Sequence, residues 1–144
     1  MILALQLLMG FLFSIIPVAL VIGPAVVDIV ASIIGILFII LSIYTKDYKY
    51  YKSKFIYLLF FWNLYLIVIS LLSVNPLLSL ESSLFYFRFI FFSLGVYYLL
   101  ENKFYFLKIF FWILIVTFFI IIFDSFYQVY FGQNLLGYEI IKNR

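Results

Sequence analysis

Two residues near the end of the chain have types and spacing suited to chemistry: Asp124 and Gln128, which follow a long apolar run. Their i, i+4 spacing places both side chains on one face if the helix continues for one more turn. The segment that follows contains Gly132 and Gly137, which allow a helix to end and the chain to bend. The pair therefore indicates either a catalytic carboxylate or a structural contact, through capping or a hydrogen bond to a neighbouring helix.

Two further ionisable residues, Arg88 and Asp28, fall within apolar stretches. Arg88 is expected about one turn in from the outer end of a span, where it either snorkels to the headgroups or faces a cavity and pairs with an anionic lipid-linked group. Asp28 is expected near the N-terminal end of its helix, where the helix dipole favours a carboxylate. A role for Asp28 in substrate or proton handling is the alternative, because ionisable groups near membrane depth are costly.

The composition of the chain is that of an integral membrane protein. It is 69% hydrophobic and 10% charged, with a mean hydropathy of +1.29, and a soluble domain of this length cannot bury so much apolar surface. There is no cysteine and no histidine. This excludes disulfides, thiol nucleophiles, imidazole bases and the usual transition-metal ligands, so we predict no metal site and no cofactor.

We predict an all-α membrane helix bundle that forms a single domain over residues 1–144. Five apolar stretches are long enough to cross a hydrocarbon core roughly 30 Å thick. They cover approximately residues 2–22, 24–44, 55–73, 84–100 and 104–123. Residues 124–144 would then form a segment on the outer face.

The connections between these spans carry recognisable signals. Pro17 is expected to kink or loosen the first span, since it cannot donate an amide hydrogen bond. Gly23 and Pro24 mark a break followed by a favourable first helical residue. The segment 76–83 carries Glu81 and several serines and predicts an outer loop or interfacial turn. A cleavable signal peptide at 2–22 is the competing interpretation. It is disfavoured because the stretch lacks a basic n-region.

Lysines concentrate in alternate connections, which predicts the topology. Lys46, Lys49, Lys52 and Lys54 lie in the first polar loop, and Lys103 lies in a later turn. By the positive-inside rule these connections are cytoplasmic, so the N-terminus is cytoplasmic and the C-terminal segment periplasmic. Basic residues mixed with aromatics also suit nucleic acid, but beside spanning helices the topological interpretation is favoured. We expect the lipid bilayer, and no nucleic acid, as a partner.

Three stretches resemble a known family. They are G-P-A-V-V-D at 23–28, S-L-E-S-S-L-F-Y-F-R-F-I-F-F at 79–92, and D-S-F-Y-Q-V-Y-F-G-Q-N-L-L-G-Y-E-I-I-K-N-R at 124–144. Together they are similar to the N-terminal part of the O-antigen ligase and polymerase family, the envelope polysaccharide glycosyltransferases. The pattern Asp-x-x-x-Gln, then Gly-x-Asn-x-x-Gly, then Arg is similar to the stretch that leads those proteins from a spanning helix into their next conserved block.

The resemblance implies a function in lipopolysaccharide biosynthesis at the bacterial inner membrane. A ligase transfers polysaccharide from undecaprenyl diphosphate to the lipid A core, whereas a polymerase transfers it to another repeat unit. Arg88 and Arg144 would then bind the diphosphate, while Asp124 and Gln128 would support the architecture. The family's catalytic loop carries histidine, so the resemblance implies an N-terminal fragment that is inactive alone, with catalytic residues beyond 144.

Two other classes of protein share these features. A multi-pass transporter would show ionisable residues deep in several spans, whereas the sequence places them mostly near helix ends. A structural or assembly subunit needs no site at all.

The topology can be tested with reporter fusions at Lys49 and Gln133. We expect a cytoplasmic signal at Lys49 and a periplasmic signal at Gln133, because lysine-rich loops are retained inside. A periplasmic signal at Lys49 would overturn this topology.

Overall fold

A computed structural model describes residues 1–103 and 105–133, and these residues are predominantly α-helical. The helices are α1 (Ile2–Ser14), α2 (Ile16–Ile22), α3 (Pro24–Thr45), α4 (Lys54–Leu71), α5 (Pro76–Phe85), α6 (Arg88–Asn102) and α7 (Tyr105–Phe131), with a 3-10 turn at Lys49–Lys52. Four segments are long and apolar enough to cross a membrane, and α1 with α2 makes a fifth if the bent pair is one span. The predicted all-α bundle with about five spans is confirmed.

The first span is bent by 48° between α1 and α2. The break lies at Ile15, and Pro17 lies in the first turn of α2. The proline has no amide hydrogen to donate, and its ring crowds the preceding turn. The predicted loosening of this helix at Pro17 is therefore confirmed.

Gly23 separates α2 from α3. Its backbone has φ 152° and ψ 159°, a region that is essentially restricted to glycine. Pro24 then occupies the first turn of α3, where a missing amide hydrogen costs nothing. The break that the sequence predicts at these two residues is present.

Helices α3 and α6 form the centre of the bundle. Gly35 of α3 faces Phe91 and the backbone of Phe92, and a Cβ atom added at Gly35 would lie 3.1 Å from the Phe91 Cβ. Gly95 of α6 lies against Ile34, where an added Cβ would be 3.0 Å from Cγ2. Small residues let two helix backbones approach closely, which is the usual way that helices pack in membranes.

Helix α1 packs on this central pair. Met9 is fully buried, and the Gln6 side-chain amide donates a hydrogen bond to the Tyr98 hydroxyl of α6. Helix α7 covers the other side of α1, where the Phe13 and Phe110 rings stack with centroids 5.0 Å apart.

One end of the bundle, which we call the lysine end, consists of residues 46–54 and 101–103. The Lys49 ammonium lies 3.0 Å from a Glu101 carboxylate oxygen, and the Asn102 amide donates a 2.7 Å hydrogen bond to the Tyr50 hydroxyl. Both lysine-bearing connections therefore lie on one side, as the sequence predicts. That this side is cytoplasmic stays a prediction.

The segment 76–83, predicted as a loop or interfacial turn, is helical. Pro76 begins α5, and its fixed φ suits the first turn. The helix runs back along α4, where the buried Asn63 amide donates a 3.4 Å hydrogen bond to the Ser83 carbonyl. The prediction rested on the short length and polar composition of the segment, but Ser73 and Ser79 bond to each other at 2.8 Å and so satisfy their hydroxyls within the fold.

Helices α4 and α7 present most of their large apolar side chains outward. Only 6% of α4 and 11% of the most apolar part of α7 is buried. Such all-round apolar helices are stable in contact with lipid rather than water. The chain is therefore a multi-pass membrane protein in contact with the bilayer. Helix α7 also continues to Phe131, beyond residue 123, where the last span was predicted to end.

The close approach of α3 and α6 can be tested by adding bulk at Gly95. We expect Gly95→Leu to destabilise the purified protein by about 1–3 kcal/mol, because the new side chain would separate the two helices. Thermal unfolding in detergent measures the loss. The matched control is Ala25→Leu at an exposed position of α3; equal unfolding temperatures for the two variants would contradict the packing.

Candidate functional site

Arg88 lies near the middle of the span formed by α5 and α6. These helices together cover Pro76–Asn102. At about 1.5 Å per residue, Arg88 is about 18 Å from Pro76 and about 21 Å from Asn102 along the helix. Counted along the helices, Arg88 is further from the start of its span than predicted, because α5 begins at Pro76 and not at residue 84. Its distance from the membrane surface stays a prediction. An arginine within an apolar span requires a partner.

Asp28 of α3 is that partner. The Oδ2 atom of Asp28 lies 2.7 Å from Nη2 of Arg88, so the contact is a charge-assisted hydrogen bond. The two side chains are 44% and 32% exposed, respectively, and the pair is therefore only partly withdrawn from its surroundings. The sequence singled out both residues but did not pair them.

The guanidinium of Arg88 has more hydrogen-bonding capacity than Asp28 uses. It carries five N–H donors and no acceptor. Its Nε atom is buried and has no hydrogen-bond partner within residues 1–103 and 105–133. The Phe89 ring lies beside it, 5.0 Å from the guanidinium carbon, which covers one side of the cation with an aromatic ring.

A cavity of about 400 Å³ adjoins this ion pair. Besides Asp28 and Arg88 it is lined by Ser82, Phe85, Tyr86 and Phe89. Charged groups, two hydroxyl-bearing residues and aromatic rings thus meet at one site. Such a lining suits a molecule with an anionic or hydroxyl-rich group attached to an apolar body.

The pair lies toward the end of the bundle opposite the lysine end. Asp28 is about 6 Å along α3 from Pro24, and Arg88 is the first residue of α6. The lysine end adjoins the C-terminal ends of these same two helices.

Ser82 and Tyr86 were not expected at the site. Ser82 and Tyr86 are four residues apart, and Phe85 and Arg88 are three apart, which are the spacings of neighbours on a helix face. Treating 76–83 as a loop removed this periodicity. If the segment is treated as a helix, Ser82 shares one face with Phe85 and Tyr86.

The other predicted site residues are elsewhere. Asp124 and Gln128 both lie within α7, so the condition under which they share one helix face is met, and both side chains are half-buried. Neither lines the cavity beside Arg88. The predicted helix end at Gly132 is also present: its φ is +78° and its amide donates to the Gln128 carbonyl at 2.9 Å. Arg144 lies outside the described residues.

The lysine end holds a second group of charges. The hydrogen bond to Glu101 raises the pKa of Lys49 above its ordinary value, so this ammonium stays charged at any physiological pH. Burial raises the pKa of the neighbouring Tyr50, which keeps its phenol neutral. The described residues contain no cluster of three or more acidic side chains able to hold a metal ion.

No family model, curated protein or solved structure matches the chain.

Proposed function

We propose that this chain is the N-terminal membrane part of an O-antigen ligase-like protein, which transfers polysaccharide from undecaprenyl diphosphate to the lipid A core. The observation that carries the proposal is Arg88, which lines a cavity and is held by Asp28. The reaction in this proposal is the one that the sequence resemblance implies. An O-antigen polymerase, which uses another repeat unit as acceptor, needs the same donor site.

The chemistry of the donor fits this cavity. A prenyl diphosphate joins a strongly anionic group to a long apolar chain, and the cavity combines a guanidinium with aromatic walls. Arginine binds phosphate oxygens through two parallel N–H groups. Asp28 uses one Nη2 donor, which leaves other N–H groups of Arg88 for the phosphate.

Asp28 has a supporting role in this proposal. It holds the guanidinium in one orientation, and it partly offsets the cost of placing a cation within an apolar helix bundle. Asp28 also weakens the attraction between Arg88 and an anion. A diphosphate is still attracted, because it carries more negative charge than the one Asp28 carboxylate. Arg144 is proposed as a second cation for the diphosphate, while Asp124 and Gln128 stabilise the end of α7.

A transporter is the second candidate, and a specific observation favours it. Arg88 and Asp28 form an ion pair between two candidate spans, and ionisable pairs within spans are typical of transport pathways. A transporter would move a substrate without covalent change, whereas a ligase-like protein would consume a lipid-linked donor. Assays of glycan transfer therefore distinguish the two.

The test replaces Arg88 by lysine in the complete protein that carries this chain. We expect Arg88→Lys to lower polysaccharide ligation by about tenfold or more, because lysine keeps the charge but loses the planar fork. Ligation is measured by complementation of a ligation-defective strain at matched membrane abundance. The 144 residues alone are expected to show no transfer.

Asp124→Asn is the matched control, because the amide preserves a hydrogen-bonding role. It should retain most of the activity. The assignment fails if Arg88→Lys is silent while Asp124→Asn abolishes transfer, since the Asp124 carboxylate would then be the reacting group.

A further inference from the structure

A second and larger cavity lies away from Arg88, toward the lysine end. It is an apolar groove of about 610 Å³ between the first span, α6 and α7. Its walls include Phe13, Phe92, Val96, Leu100 and Phe110. The volume is within the roughly 300–1,000 Å³ range of protein ligand cavities.

The groove offers almost nothing to a polar ligand. Ser93 is one of its few polar residues, and the Ser93 hydroxyl already donates a 2.8 Å hydrogen bond to the Phe89 carbonyl. The stacked Phe13 and Phe110 rings close one side. A hydrocarbon chain is the occupant that such walls accommodate without leaving a polar group unpaired.

A smaller polar cavity lies beside the groove at the lysine end. This cavity has a volume of about 220 Å³, and its lining includes Lys49, Lys52 and Glu101. Ser53 and Tyr97 line both cavities. The apolar groove therefore adjoins a charged opening.

The opening carries one cation in excess. Lys49 is neutralised by Glu101 at 3.0 Å. Lys52, in contrast, is exposed, and within residues 1–103 and 105–133 no carboxylate lies within 4.0 Å of its ammonium. The wider lysine end is also basic, since Lys46, Lys54 and Lys103 lie there with Asp47 as the other acid.

We propose that the groove binds an acyl chain of an anionic phospholipid whose headgroup phosphate is held by Lys52. Charge complementarity selects the occupant: basic pockets beside spanning helices attract anionic headgroups, and the adjoining groove takes a hydrocarbon chain. Tyr97 lies at the junction, half exposed, with an amphipathic ring that suits the boundary between headgroup and acyl chain. This lipid site is separate from the Arg88 cavity and independent of the function proposed for it.

Binding of purified lipid to the delipidated full chain in detergent tests the proposal. The probes are dioleoyl phosphatidylglycerol and dioleoyl phosphatidylcholine, which share acyl chains and differ in net charge. Native mass spectrometry gives the affinity for each. We expect the wild-type chain to prefer phosphatidylglycerol and Lys52→Gln to lower that affinity about fivefold, with little effect on phosphatidylcholine.

Two further variants separate the headgroup from the acyl chain. Lys54→Gln is the matched charge control, because Lys54 does not line either cavity, and it should keep the preference. Val96→Trp should fill the groove and weaken both lipids. Soluble glycerol 1-phosphate should fail to displace the lipid, since it lacks an acyl chain.

Several outcomes would overturn the site. Equal affinities of the wild-type chain for the two lipids would exclude recognition of the headgroup charge. Equal losses in Lys52→Gln and Lys54→Gln would indicate a diffuse surface charge. Displacement by glycerol 1-phosphate would indicate a site for free phosphate, and unchanged lipid binding by a folded Val96→Trp protein would exclude the groove.

Discussion

The ion pair between Arg88 and Asp28 is the constraint on which this structure depends. A lone guanidinium within an apolar helix bundle is costly, and Asp28 of α3 lies 2.7 Å away to offset the charge. The contact ties α3 to α6 near the end opposite the lysines. Because the pair stays partly exposed beside a cavity, it serves both the stability of the bundle and the binding of a polar group.

The ion pair can form because α3 and α6 are close along their length. Gly35 and Gly95 leave no room for a side chain at the crossing, and the buried Phe38 fills the space nearer the lysine end, against Tyr50 and Tyr98. At that end the Lys49–Glu101 contact again joins the segment after α3 to α6. The same two elements are thus joined at both ends by opposite charges and in the middle by close packing.

The sequence predicted the class and the number of spans because apolar stretches of about 20 residues are a strong signal. It also predicted the break at Gly23, where proline and glycine act locally. It missed α5 because the segment 76–83 alone is too short and polar to span a membrane. In the structure α5 and α6 together form one candidate span, and α5 bonds to Asn63 and Ser73.

The pairing of Asp28 with Arg88 could not be predicted for a related reason: sixty residues separate them, and their meeting depends on how far α5 lengthens the span. Local spacing carries no information about such a contact. Thermal unfolding of Asp28→Asn, Arg88→Gln and the double variant tests the pairing most directly. We predict that the double variant loses less stability than the two single losses combined, with a coupling of about 0.5–3 kcal/mol. Additive losses would show that the two residues do not interact and would contradict the account.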